Sequence, residues 1–343
     1  VNFSLSERLR SSDRVFVVAV AGDSGSGKTT LSRGLRKLLG EDLVSTFSMD
    51  DYHSLDREER RVRGITPLNP AANRLDLLAD HLGALRRGEE INKPIYDHSD
   101  GTIKGLVPFR SAPVLIIEGL HPFYTQKLRR EIDLAIFVDP SRAVKRRWKI
   151  KRDCVDRHYE REAVMKEILE REPDYKLYVD VQKIYAEAVV KIEESRLLPP
   201  TMAEKPPERY SVRLIQEVME APPSEADLKI DLSSLFRLAE REFSIAFQRD
   251  DYYGKRVSVL TIDGELHRSM IEGIEEKLCS LAESQAPICD RAINEHVSAT
   301  GMVQILLCWR LLEKLERHLS SPGISRGNDD AADEEGVRPA IGG

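Results

Sequence analysis

The chain has 343 residues, 41% of them apolar and 32% charged, with a formal net charge of −6. That length accommodates an α/β domain of about 200 residues plus a second unit. The mild acidity argues against a general nucleic-acid binder, and no uninterrupted apolar run approaches the roughly 20 residues that cross a bilayer.

The opening stretch VNFSLSERLRSSDR is polar and carries no signal-peptide core, so a cytoplasmic protein is expected. RVFVVAVAG reads as a buried strand, and GKTTLSRGLRKLLG as the helix after it, closed by Gly40. LVSTFSMDDYH is a second short strand ending in two acids. In NPAANRLDLLADHLGALRRGEE, residues Leu75, Leu78, Leu82 and Leu85 recur at helical spacing. VLIIEG and LAIFVDP are continuous apolar strands, the pattern of a parallel sheet covered on both faces. Helical segments alternate with these strands, which predicts an α/β fold, a doubly wound and mainly parallel sheet of the P-loop kinase type.

ESRLLPPTMAEKPPERY, with four prolines, breaks the pattern and places a boundary near residue 205. The organisation expected is a catalytic domain over 1–205, with a lid around 145–175, and a C-terminal α+β extension over 206–320. In that extension RYSVRLIQEV, FSIAFQR and KRVSVLTIDG read as strands that extend or flank the main sheet. ELHRSMIEGIEEKLCSLAES and GMVQILLCWRLLEKLERHL read as amphipathic helices that serve in packing or subunit contact. The Gly- and acid-rich segment 321–343 is expected to be disordered. Cys154, Cys279, Cys289 and Cys308 form no C-x-x-C pair, which favours reduced, mostly buried thiols over a metal site or a disulfide framework.

The chemistry starts at GDSGSGKTT. Gly22, Gly27, Lys28 and Thr29 satisfy G-x-x-x-x-G-K-[ST] between a strand and a helix. Backbone N–H groups along Gly22, Asp23, Ser24, Gly25, Ser26 and Gly27, continuing into Thr30, turn inward on phosphate oxygens, and the helix N-terminus adds its dipole. Lys28 reaches the outer phosphates and the Thr29 hydroxyl ligates Mg²⁺. The carboxylate expected near that ion is Glu118 at the end of VLIIEG. Asp139, before Pro140, is the alternative, or else simply ends its strand and caps the helix starting near Ala143.

Asp50 ends the second strand and faces the same crevice, where an aspartate within about 3 Å of a sugar hydroxyl acts as its base. His53 and Arg57 follow at three and seven residues and suit a phosphorylated, hydroxylated acceptor. On a helix through SRAVKRRWKIKRDCVDRHYE, Lys149, Arg152, Asp153 and Arg157 share a face about 140° wide, while Val144, Trp148 and Val155 gather on a packing face. Alone, such a charge run reads as solvated surface; beside a phosphate loop it reads as a lid over anionic reactants.

These motifs, in this order over about residues 14–192, resemble the phosphoribulokinase and uridine kinase family, and within it the phosphoribulokinases. The match runs through GDSGSGKTT, DDYHSLDR, KPIYDHSDG, VLIIEGLHP and WKIKRDCVDR. The resemblance implies MgATP-dependent phosphorylation of ribulose 5-phosphate at its 1-hydroxyl, with ATP and Mg²⁺ as cofactors and a sugar phosphate as the small-molecule partner. By position it implies Asp50 as base, with His53, Arg57, Tyr96 and His98 in the substrate pocket. It places Glu118 at the metal, and it makes Lys149, Arg152, Asp153 and Arg157 catalytic and substrate-binding residues. It also implies a homodimer. His158 stands where many relatives carry Gly. Ser26 and Ser48 stand where the plant enzymes carry redox cysteines, so thiol switching of that kind is not expected. A uridine kinase shares the loop, the strand-end Asp and the lid, but the cations near the acceptor favour a substrate already phosphorylated. A nucleotide-dependent regulator acting through residues 210–320 has no need of that acceptor cluster.

Overall fold

A computed structural model describes residues 3–156, 158–197, 209–218, 243–284, 286–289 and 295–320. In chain order, α1 (Leu5–Arg10) precedes β1 (Phe16–Ala21) and α2 (Lys28–Leu39). β2 (Val44–Ser48) then leads through a 3-10 turn, Met49–Tyr52, to α3 (Arg57–Arg63) and α4 (Leu75–Arg86). A hairpin, β3 (Ile91–Asp97) and β4 (Thr102–Phe109), is followed by β5 (Val114–Gly119), α5 (Gln126–Arg130), β6 (Leu134–Pro140), α6 (Arg142–Lys151), α7 (Arg161–Asp174) and β7 (Ala188–Glu194). The C-terminal part contributes β8 (Tyr210–Glu217), β9 (Phe243–Tyr252), β10 (Lys255–His267), α8 (Glu272–Leu281), β11 (His296–Ser298) and α9 (Ala299–Ser320).

The apolar runs form strands buried on both faces because their side chains divide between two cores. Phe16, Val18 and Val20 of β1 enter one, with α2 and α9; Val17, Ala19 and Ala21 enter the other, with α4 and α5. The parallel strands lie in the order β2-β5-β1-β6-β7, and antiparallel β8, β10 and β11 continue the same sheet beyond β7, as the strand-like runs after residue 209 predict. β9 pairs with the remaining edge of β10. Leu75, Leu78, Leu82 and Leu85 of α4 are all buried, as their spacing requires.

Two sequence expectations are corrected. The run beginning at Glu265 does not start as helix: β10 continues to His267, because Glu265–His267 pair with β11, and the helix begins at Glu272. Of the roles expected for the two apolar helices, packing is visible: Val303, Leu307 and Leu311 of α9 are buried in the core with Leu35 and Leu38 of α2 and Leu278 of α8. The lid helix is interrupted, since α6 stops at Lys151 and a π turn spans Arg152–Asp156. Its wider turn rotates Val155 away from Val144 and Trp148, leaving Val155 63% exposed while Val144 is buried. The segment 321–343 lies outside the described residues. All four cysteines are free, with Cys289 and Cys308 buried. Among the described residues no helix is long and apolar enough to cross a membrane.

Candidate active site

Register decides where the site forms. β1 pairs with β5 up to Ala21↔Gly119, and β2 pairs with β5 up to Ser48↔Glu118, so the segments after β1 and β2 leave the same sheet edge beside Glu118. That edge is the carboxyl end of the parallel strands, where doubly wound sheets hold ligands. A cleft of about 1390 Å³ opens there, lined by the phosphate loop, the turn after β2, the β3–β4 hairpin and the two lid helices. Its walls carry eight Lys and Arg side chains against six carboxylates, although the chain as a whole is acidic. The balance suits anionic ligands.

Within the loop Gly22 has no room for a side chain: a Cβ would stand 2.6 Å from the Val138 carbonyl oxygen. Gly27, at φ +95°, supplies the left-handed turn into α2. The Lys28 ammonium donates to the carbonyl oxygens of Gly22 (3.0 Å) and Asp23 (2.7 Å), curling over the loop. Burial pushes its pKa below the usual lysine value, and Asp50, Asp23 and Glu118 pull it back only in part. Asp50 leads those carboxylates, which places the second strand's aspartate electrostatically against the loop lysine. Thr29 Oγ1 donates to Glu118 Oε2 at 2.9 Å. A hydroxyl and a carboxylate side by side beside a phosphate loop fit Mg²⁺, which takes one or two protein oxygens and fills its octahedron with phosphate and water. Asp139 is placed elsewhere, 3.6 Å from Lys183, and it does not cap α6; the Ser141 hydroxyl does, accepting from the Val144 N–H.

On the acceptor side the two consecutive acids part company. Asp50 turns into the cleft, with His98 Nε2 3.6 Å from one oxygen and His53 Nε2 4.0 Å from the other. Asp51 turns away to hold the hairpin, accepting the Tyr96 N–H at 3.0 Å and pairing with Lys93. Burial is the main force holding His53 below its ordinary pKa, with Arg60 and His98 adding to it and Asp50 opposing. Its Nδ1 meets Asn73 Oδ1 at 2.8 Å. Arg57 is exposed at the cleft wall, one guanidinium nitrogen donating to the His98 carbonyl at 2.7 Å. Tyr96 is buried to 6% exposure, with its hydroxyl accepting from Arg60.

The lid face brings Lys149, Arg152 and Asp153 together. Asp153, 1% exposed, accepts from Lys149 Nζ at 2.7 Å and from Arg152 Nε at 2.8 Å, and Arg152 also donates to Ser24 Oγ of the phosphate loop at 3.1 Å. Burial alone would raise the Asp153 pKa; the two cations reverse that and hold it below the usual carboxylate value. Asp153 is thereby a counter-ion that aims two cations across the cleft. Arg157 lies outside the described residues. His158, where many relatives carry Gly, adopts φ +58°, a left-handed conformation in which His is tolerated better than most residues.

The structure adds Lys145 and Arg171, which the motifs do not single out. Asp23 is gripped by Lys145 of α6 (2.9 Å) and Arg171 of α7 (3.1 Å), so the phosphate loop is ion-paired to both lid helices. The Trp148 ring lies against Gly27, where a Cβ would be 3.3 Å away, and its N–H donates to Tyr210 of β8 at 2.7 Å. Lys145 lies in a run of basic residues and Arg171 in an acid-rich helix, and a one-dimensional charge pattern does not say which cation meets which carboxylate.

Residues 17–198 match the model of the Phosphoribulokinase / Uridine kinase family. A phosphoribulokinase of Synechocystis sp. is 33% identical over 92% of this chain and 90% of its own length. A uridine kinase of Deinococcus deserti is also 33% identical, over 87% of its own length but only 52% of this chain. Among solved structures, a phosphoribulokinase from Rhodobacter spheroides aligns with 79% of this chain and all of its own at a TM-score of 0.52 and 17% identity, a likeness of fold. With the phosphate loop, the strand-end aspartate and the cationic lid assembled at one cleft, these matches place the chain in the phosphoribulokinase/uridine kinase family.

Proposed function

We propose that the protein is a phosphoribulokinase: it transfers the γ-phosphoryl group of ATP to the 1-hydroxyl of D-ribulose 5-phosphate, giving ribulose 1,5-bisphosphate. The observation that carries this reading is Asp50, a carboxylate flanked by two imidazoles and set electrostatically against Lys28 across a single cation-rich cleft. Asp50 takes the hydroxyl proton, and His53 and Arg57 hold the hydroxylated, phosphorylated acceptor. Lys28 and the loop N–H groups hold the triphosphate. Lys149 and Arg152, aimed by Asp153, neutralise charge on the transferring group as the lid formed by α6 and α7 closes and excludes water. Thr29 and Glu118 would hold Mg²⁺, which would supply charge neutralisation when bound. The likeness to phosphoribulokinases over nine-tenths of the chain supports this acceptor over uridine, since the uridine kinase match covers only 52% of it.

A coupled assay tests the reading: MgATP is supplied with ribulose 5-phosphate, with uridine, or with neither. ADP formation is expected only with ribulose 5-phosphate; uridine-dependent turnover would make the chain a nucleoside kinase, and acceptor-independent turnover would favour a regulator. Asp50→Asn is expected to lower kcat by about 10²-fold while ATP still binds. An unchanged kcat would remove Asp50 from proton transfer.

We also infer that the protein is a homodimer. The support is β9, ten residues long, which pairs with β10 along one side and with no strand on the other among the described residues.

A further inference from the structure

One aromatic ring sets the spacing of both imidazoles at Asp50. The Tyr96 ring stands edge-to-face against His53 (centroids 4.8 Å apart) and against His98 (5.1 Å). Its hydroxyl accepts from Arg60 at 2.7 Å, and the residue is 6% exposed. The same guanidinium donates through its other terminal nitrogen to the Leu55 carbonyl at 2.6 Å, two residues beyond His53. Arg60 itself is 7% exposed, and no carboxylate among the described residues pairs with it. Burying a cation without a counter-charge is costly, so packing alone does not account for an arginine here. The planar fork reaches two acceptors at a fixed angle, which a lysine cannot reproduce.

We propose that Arg60 is a positioning residue for the phosphoryl acceptor site: anchored at the Leu55 carbonyl, it fixes the Tyr96 ring, and through that ring it keeps His53 and His98 on either side of Asp50. The inference rests on Asp50 being the base. Arg60 acts on the geometry of the acceptor half only, since the phosphate loop, Thr29 and Glu118 are built on other elements. Misplacement of a reacting group by about 1 Å costs up to about 10²-fold in rate.

The test is a double-mutant cycle on the full chain, with KM for both substrates and kcat measured for each variant. Arg60→Met is expected to lower kcat about tenfold or more with KM for MgATP unchanged. Tyr96→Phe keeps the ring and deletes only the hydroxyl that Arg60 holds, so it lowers kcat in the same direction. The double variant falls no further than Arg60→Met, because both act through one contact. Losses that multiply would overturn the proposal, as would an Arg60→Met effect confined to KM for the sugar phosphate, the signature of direct phosphate contact. If Arg60→Met does not fold, Tyr96→Phe decides alone: wild-type kcat overturns the proposal, and a lowered kcat with unchanged KM for MgATP supports it. An Asp50→Asn variant run alongside separates the two readings, since a loss there with none at Arg60 or Tyr96 defeats only the positioning role.

Discussion

Asp23 is a loop residue held by two helices, α6 through Lys145 and α7 through Arg171. Burial alone would raise its pKa, but Arg171 and Lys145 override that and hold the carboxyl below the usual range. A carboxylate with a depressed folded pKa stabilises the protein fully above its unfolded value, near 3.9, and loses that contribution as pH falls through the folded value. Asp23→Asn leaves two enclosed cations without their shared partner, so it is expected to cost about 3 kcal/mol at neutral pH. The gap between variant and wild type should shrink below about pH 4. Urea unfolding at pH 7 and pH 3.5 checks this, and a gap that stays constant would assign the effect to packing. The sequence exposed the residues whose type and spacing are dictated by chemistry: the glycines and Lys28 around a phosphate, Asp50 at a strand end, Glu118 before a glycine. It did not expose Arg60, Lys145 or Arg171, because a cation on a charged helix looks the same in sequence whether it meets water, a tyrosine hydroxyl or a loop aspartate.

Elements were legible where a period ran undisturbed. The four leucines of α4 each face the core, and β1, β5 and β6 are continuous apolar strands as their composition requires. The π turn after Lys151 carries no periodic signal, so extrapolating the helix kept Val155 on a packing face that it leaves. Nor does a period reveal which elements meet: α9 lies on α2, where Gln304 Nε2 donates to the Thr30 carbonyl at 2.8 Å and its side chain fills the space over Gly34. A Cβ at Gly34 would stand 2.3–2.4 Å from the Gln304 amide and stem. Gly34→Leu is therefore expected to destabilise by about 1–3 kcal/mol through overpacking. Gln304→Ala, which vacates that space, should recover part of the loss when the two are combined. Chemical denaturation of the two single variants and the double gives the coupling; simple additivity would mean that α9 does not rest on the phosphate-loop helix as described.

At the scale of the whole molecule β9 is an edge of the sheet among the described residues. β10 is paired on both sides, by β8 and by β9, but among the described residues the other side of the ten-residue β9 meets no strand, and its Phe247 is 64% exposed. Long edges with exposed apolar side chains invite another strand. Arg249, Asp250 and Asp251 discourage indiscriminate pairing, whereas a second copy related by a two-fold axis presents the same strand antiparallel and satisfies both edges at once. Sedimentation at micromolar concentration should therefore give twice the 38.9 kDa of one chain. Ala246→Lys with Phe247→Glu, both exposed on β9, should shift the protein to monomer. No described residue lining the cleft comes from β9, so the monomeric variant should keep ribulose 5-phosphate-dependent ADP formation. A wild-type monomer, or a dimer indifferent to these substitutions, would place the association elsewhere. Activity lost together with dimerisation would mean that a neighbouring subunit completes a site that the geometry of a single chain leaves ready.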